Sequence, residues 1–369
     1  MLPGRTTVPT FGDNNEGAIV DVPLGRRTEV NGGSLRIRGL SKASVVWLLI
    51  GVAFIGASCS TGGKSASTSP PWMQDAVRPD SASGCPSSAC STVTKAVSDA
   101  TKIKSLPTSL TPPLDKVSTD LRTPTGGTCH EIVSPPSYNP CIYAGSASGG
   151  RIALLGDSRA WQWSTSVLSI ANRTNSSFGL AFRSSCFITF TVGSIPRNGA
   201  AGVAPDPKVC KSWLDGAVAW LNEFNPQTLI VVGSSGTLVG AYEKTFQDGF
   251  VPLLKALSAP GRRIVVIGQQ PSGNPHGGAT CLSTHSGNIQ PCGTSLEMAL
   301  NREAIDGFKA SALSVGATYV NPTPWLCSTS SCPPVINGYP VQQDPAHFTS
   351  DYAEFLSQIL QTAASITGS

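Results

Sequence analysis

The chain has 369 residues, of which only 13% are charged, and a formal net charge of +4 from 26 basic and 22 acidic side chains. That balance excludes a nucleic-acid binder driven by charge alone and an acidic-tail protein. With 40% apolar residues and with 38 Gly and 29 Pro, it reads as neither a collagen, a coiled coil nor a multispan membrane protein.

Residues 1–42 show no hydrophobic period and read as a disordered cytoplasmic leader. Residues 43–57, ASVVWLLIGVAFIGA, carry no charge. As a helix they rise about 22 Å, whereas a full span takes about 20 residues. Arg26, Arg27, Arg36, Arg38 and Lys42 precede them and belong on the cytoplasmic side, so the rest of the chain is exported. We read 43–59 as a single-pass anchor in a bacterial cell membrane. Cleavage after the small residues Gly56-Ala57-Ser58, giving a secreted form, and a lipoprotein beginning at Cys59 are the alternatives. Residues 60–128, rich in Ser, Thr, Pro and Gly, are expected to form an extracytoplasmic stalk with little structure. A short helix is predicted there over 95–106, with Val93, Val97 and Ala100 on one side.

The texture changes at Cys129, and a folded domain is expected over 129–369. Short apolar runs predict strands at 151–156 (RIALLG), 177–182, 228–233 (TLIVVG), 262–268 (RRIVVIG) and 317–320. Amphipathic runs between them predict helices at 162–171, 211–224 and 242–257, and a last one at 350–363. Thr294 with Glu297 makes a capping box for a further helix through Leu313. Strands apolar on both faces need helices on both sides, which gives an α/β fold, a three-layer α/β/α sandwich around a central, mostly parallel five-stranded sheet. The site is expected at the carboxyl ends of its strands.

Eleven cysteines point to an oxidising compartment. The ten after Cys59 fall in near pairs: Cys85/Cys90, Cys129/Cys141, Cys186/Cys210, Cys281/Cys292 and Cys327/Cys332. Five local bridges are the simplest framework, each with Cα atoms about 4.4 to 6.8 Å apart. None is a C-x-x-C pair, and we assign no metal and no cofactor. The glycine-rich run Gly145–Gly150 precedes a strand and lacks the Lys-Ser/Thr of a phosphate loop.

The strand RIALLG runs into Asp157-Ser158, which places a serine at a strand-to-helix turn. Its amide there suits an oxyanion. A plain helix cap is the alternative, and Asp157 reads better as that cap. Near the other end, Asp344-Pro-Ala-His347 enters the last helix. A serine nucleophile needs a base within about 3 Å and a group that orients the base, and an acid three residues before a histidine supplies both.

Gly156-Asp157-Ser158 after an apolar strand, with Asp344-x-x-His347 near the C-terminus, resembles the SGNH (GDSL-type) hydrolases and acyltransferases. The resemblance is closest to the SGNH domain fused to acyltransferase-3 membrane proteins, and covers about residues 145–363. Trp161 or Trp163, Cys186, Cys210 with Trp213, and Cys327 and Cys332 before the DPAHFT run stand where such domains carry their tryptophans and cysteines. The resemblance implies an SGNH/flavodoxin-like sandwich with Ser158 as nucleophile, His347 as base and Asp344 as its orienting acid. The Ser158 amide is then one oxyanion donor. The family's GxND motif is missing, and Ser234-Ser235-Gly236 stands in its place. Ser235 and Gly236, or the nearby Gln269-Gln270, are the remaining oxyanion candidates.

The implied activity is a serine-dependent O-acyltransferase or carbohydrate esterase for acyl groups, acetyl first among them, on cell-envelope glycans. Trp161 and Trp163 are the candidates for stacking on sugar, with plain packing as their other reading. The implied partners are an acylated or acyl-accepting glycan and, because the chain has only one apolar stretch, a separate multispan membrane acyltransferase as acyl donor. No nucleic acid is implied. A non-catalytic envelope protein, glycan-binding or structural, on the same fold is the competing reading, favoured by the missing GxND.

Overall fold

The computed structural model describes residues 70–77, 88–122, 141–143, 149–189, 207–234 and 245–367. The leader, the apolar segment 43–57 and Cys59 lie outside them. Among the described residues no helix is long and apolar enough to cross a membrane.

Helices α1 (Pro71–Val77) and α2 (Ser88–Ala100) come first, then strands β1 (Cys141–Tyr143) and β2 (Arg151–Gly156). They are followed by α3 (Ser158–Arg173), β3 (Ser177–Phe182), α4 (Pro207–Phe224), β4 (Thr228–Val232), α5 (Val251–Ala256) and β5 (Arg263–Ile267). The series closes with α6 (Arg302–Ser314), β6 (Thr318–Val320), α7 (Ser350–Phe355) and α8 (Ser357–Ala363). Six strands form one sheet in the order β1-β3-β2-β4-β5-β6. Five run parallel, and β1 pairs antiparallel with β3, Cys141 opposite Leu180. The sheet therefore has one strand more than the five expected. Three residues, with Ile142 half exposed, are too short to show a period.

The strand period of two sorts the side chains into two cores. Ile152, Leu154, Ile230, Val232, Val265 and Ile267 point to one face, where Trp163, Val167 and Ile170 of α3 and Tyr352 and Leu360 of α7 and α8 cover them. Ala153, Leu155, Leu229, Val231, Ile264 and Val266 point to the other, under Trp213, Leu221, Leu254, Ala304 and Phe308. Helices on both faces make this an α/β/α sandwich.

Three local expectations change. The segment read as a stalk with little structure is partly helical and packed. Met73, Val77, Val93, Val97 and Ala100 lie buried in the first core, and Val117 is buried in the short helical turn Leu114–Thr119. The helix expected at 95–106 spans 88–100 instead, because its apolar face begins at Cys90 and ends at Ala100. Ser, Thr and Pro dilute the composition without interrupting that face. The Asp120 carbonyl accepts from the Ser350 amide (2.8 Å) and its carboxylate from the Asp351 amide (2.9 Å), so this segment also clamps the start of α7.

The helix expected from Thr294 through Leu313 is broken. Thr294 and Ser295 pair as a short strand with Ser331 and Cys332. Ser295 caps a single turn, Leu296–Ala299, and Asn301 caps α6 by accepting from the Ala304 amide. Two good capping residues six apart restart the helix where a continuous one needs neither.

Cys186–Cys210, Cys281–Cys292 and Cys327–Cys332 are disulfides, with Cα separations of 5.3, 5.7 and 4.0 Å. The last falls below the expected range. Cys90 and Cys141 are also disulfide-bonded; Cys85 and Cys129, the partners expected for them, lie outside the described residues. Cys186–Cys210 ties the loop after β3 to α4 across a separation of 24 residues. Replacing both by serine is expected to cost about 3 kcal/mol, mainly by freeing the unfolded chain. Denaturant unfolding measures it, and a loss under about 1 kcal/mol would contradict this bridge as a stabiliser.

Candidate active site

The site grows from the end of β2. A Cβ on Gly156 would lie 1.8 Å from the Val232 carbonyl oxygen, so only glycine lets β2 pass β4 this closely. Asp157 follows as the N-cap of α3, fully buried. Its Oδ1 accepts from the Arg159 amide (2.8 Å) and its Oδ2 from the Ser234 amide (2.7 Å). Burial raises its pKa, against the lowering effect of the two amides and of the Arg159 and His347 charges. Asp157 thus ties the turn to the end of β4 and does not face a reactant.

Ser158 is the first residue of α3, and its amide has no carbonyl one turn earlier to bond. Its Oγ lies 2.8 Å from His347 Nε2. On the other side of the ring, Nδ1 lies 2.8 Å from Asp344 Oδ2 and 3.0 Å from Oδ1. A carboxylate on Nδ1 keeps the proton there, which leaves Nε2 as an acceptor for the serine O–H. The structure therefore brings together Ser158, His347 and Asp344 in one line.

Asp344 is fixed locally as well. Its Oδ1 accepts from the Ala346 amide (2.7 Å) and the His347 amide (2.8 Å). Burial pushes its pKa up, but the hydrogen bond and charge of His347 and these two amides outweigh it and hold the group below its ordinary 3.8. A lowered carboxylate contributes stability above its unfolded value and loses it as pH falls through the folded value. The melting-temperature gap between the native protein and Asp344→Asn should be constant above that ordinary value and close on further acidification. A gap that widens in acid would contradict the assignment.

The loop after β5 holds the histidine turn. The Gly273 amide donates to the Pro345 carbonyl (3.1 Å), and Asn274 and Gln342 exchange two bonds, at 3.0 and 2.6 Å. Thr349 caps α7 and donates to the Pro340 carbonyl (2.7 Å). An open cleft lies against Asp344 and His347, walled by Gln270, Ser272, Leu326, Pro334, Val341 and Phe348.

The other sequence candidates fare differently. Ser235 and Gly236 lie outside the described residues. Ser234 spends its amide on Asp157. Gln269 donates to the Gln270 carbonyl, and Gln270 donates to Ala346, so in this arrangement both amides are engaged within the loops. Trp161 is half-buried and stacked on Phe182, with centroids 5.6 Å apart. Trp163 is fully buried, edge-on to Phe348 and Trp325, and cannot meet a sugar; Trp213 and Trp325 are buried too. Residue reading missed Arg159, 7% exposed, whose Nη1 has no hydrogen-bond partner. Burial lowers its pKa, while the Asp157 and Asp344 charges raise it. It also missed Gln162, one turn beyond Ser158 on α3; the i, i+4 spacing was the available signal.

Cys281, His285 and Cys292 cluster within 4.8 Å, but Cys281 and Cys292 are joined to each other, so their thiolates are not free to bind a metal.

A family model described as SGNH domain (fused to AT3 domains) matches residues 128–362. Among solved structures, the periplasmic domain of a lipopolysaccharide acetyltransferase from Salmonella ser. Paratyphi A is 18% identical, with a TM-score of 0.43, covering 58% of this chain and 83% of that one. No curated protein matches the chain.

Proposed function

The chain belongs to the family of SGNH domains found fused to AT3 domains, and from that premise we propose an extracytoplasmic serine enzyme that transfers acyl groups, acetyl first among them, on cell-envelope glycans. The observation that carries this reading is the line from Ser158 Oγ to His347 Nε2, 2.8 Å, continued from Nδ1 to Asp344.

The chemistry follows from the geometry. His347 Nε2 takes the hydroxyl proton as Ser158 Oγ attacks the ester carbonyl, and Asp344 stabilises the imidazolium that forms. The Ser158 amide faces the oxyanion. As the tetrahedral adduct collapses, the C–O bond to the donor alcohol breaks and His347 returns the proton to it. In the second half a sugar hydroxyl or water gives its proton to Nε2 and attacks acyl-Ser158. The acyl group leaves on that oxygen, and Ser158 regains its proton. Which acceptor arrives first decides between transferase and esterase.

The disulfides suit an oxidising compartment, and a separate multispan membrane acyltransferase is the proposed acyl donor. Exposure to a fluorophosphonate probe followed by peptide mass mapping should place one adduct on Ser158. No adduct, or an adduct elsewhere that survives Ser158→Ala, counts against the proposal.

A further inference from the structure

We infer that Gln162 and Gln270 form a buried amide relay that positions His347 against Ser158. Gln162 has no solvent exposure and Gln270 is buried, so the pair sits where apolar side chains would pack. Gln162 Nε2 donates to Gln270 Oε1 (2.7 Å), and Gln270 Nε2 reaches back toward Gln162 Oε1 (3.4 Å). The same Gln270 nitrogen donates to the Ala346 carbonyl (3.3 Å). Gln162 stands four residues after Ser158 on the same helix, and Ala346 is the residue before His347. The relay therefore runs from the nucleophile's helix, through the end of β5, to the peptide that carries the base.

Two features make this a positioning device. Pro345 and Ala346 are exposed, so packing does little to fix the turn, and its carbonyls must be held by hydrogen bonds. Gly273 holds the Pro345 carbonyl and Gln270 holds the Ala346 carbonyl, but of these two the Gln270 bond leads on to α3. A buried polar pair also contributes little to stability over two apolar residues of the same shape, because its desolvation offsets its bonds. What the amides supply and leucines do not is a fixed separation. An error of about 1 Å between a nucleophile and its base costs on the order of 100-fold in rate.

This inference rests on the serine-enzyme reading, and p-nitrophenyl acetate hydrolysis tests the two separately. Ser158→Ala tests the reading: retained turnover there defeats the reading itself. With Ser158 essential, Gln270→Leu is expected to lower kcat about 10- to 100-fold with KM within about twofold; it also lowers the melting temperature by leaving Gln162 buried without its partner, whereas the double variant Gln162→Leu with Gln270→Leu should melt near native. Gln162→Leu should lower kcat in the same way without touching the histidine turn. The double variant should be no slower than Gln270→Leu, because the relay is already broken. Gln162→Glu keeps an acceptor for Gln270 Nε2 but loses the donor of the 2.7 Å bond, so it should recover less than half of the rate lost in Gln162→Leu. Any one of three results would overturn the inference: kcat within twofold of native in Gln270→Leu, multiplicative losses in the double variant, or kcat returning to native in the double variant together with its melting temperature. Should Gln270→Leu fail to fold, Gln162→Leu and the double variant decide alone, and kcat within twofold of native in either overturns the inference.

Discussion

Ser158→Ala is expected to lower turnover of a simple acetyl ester by about 10³- to 10⁶-fold while leaving the melting temperature near native. Both halves follow from the site. The hydroxyl at 2.8 Å from His347 Nε2 is the atom proposed to form the covalent bond, and no other described side chain stands on that line. Yet Ser158 is the first residue of α3, partly buried, and its side chain is no part of either core. His347→Ala should cost about as much, since the base is lost. Asp344→Ala should cost less, because the ring keeps its place beside Ser158 and loses its orienting carboxylate. Steady-state kinetics on the three variants, each with a thermal melt, supply the comparison. Unchanged turnover in Ser158→Ala would end the serine mechanism and bring forward a glycan-binding protein on the same fold.

The largest stability effect near the site should come from its neighbour. Asp157→Ala removes an N-cap and leaves the Arg159 and Ser234 amides without their acceptor. Together these are expected to cost about 2 to 4 kcal/mol. Asp157→Asn keeps one acceptor and turns an NH2 toward the other amide, so it should recover less than half. The pH dependence runs opposite to that of Asp344. Burial raises the Asp157 pKa, so its contribution is complete below the ordinary 3.8 and declines as pH rises through the folded value. The gap between native protein and Asp157→Asn should therefore narrow as pH rises. Denaturant melts at several pH values measure it, and a gap that grows with pH would show that the carboxylate is stabilised there.

Much of this is legible in the amino-acid sequence alone. The parallel strands announce themselves because the runs after Arg151 and Thr228, IALLG and LIVV, are apolar at every position, as strands covered on both faces must be. Ser158 could be placed at the sheet's rim because it follows such a run directly. What stayed hidden depends on distant partners. Strand β1 has three residues and exists because β3 offers it an edge. The packing of α2 turns on a few apolar residues in a Ser- and Pro-rich stretch, which composition averages away. The break before α6 reflects the pairing of Thr294 with Cys332. Trp163 looked available because helical spacing does not say which face is covered. Gln162 and Gln270 are 108 residues apart, and nothing local joins them.

The turn that carries Asp344 has a consequence for how the molecule assembles. Its carboxylate is bound to two amides and a ring that all lie within three residues, so acid and base form one local unit. Only the meeting of that unit with Ser158, 189 residues away, requires the folded domain. Closing a flexible loop of that length costs about 5 kcal/mol in chain entropy. The opposing gain comes as α7 docks on α3, where Thr165 donates to the Ser350 carbonyl, Ser166 donates to the Ala353 carbonyl and Tyr352 is buried. During refolding, phosphonate labelling of Ser158 is then expected to serve as a clock for that docking, because the proposed nucleophile meets its base only when the end of the chain has come home.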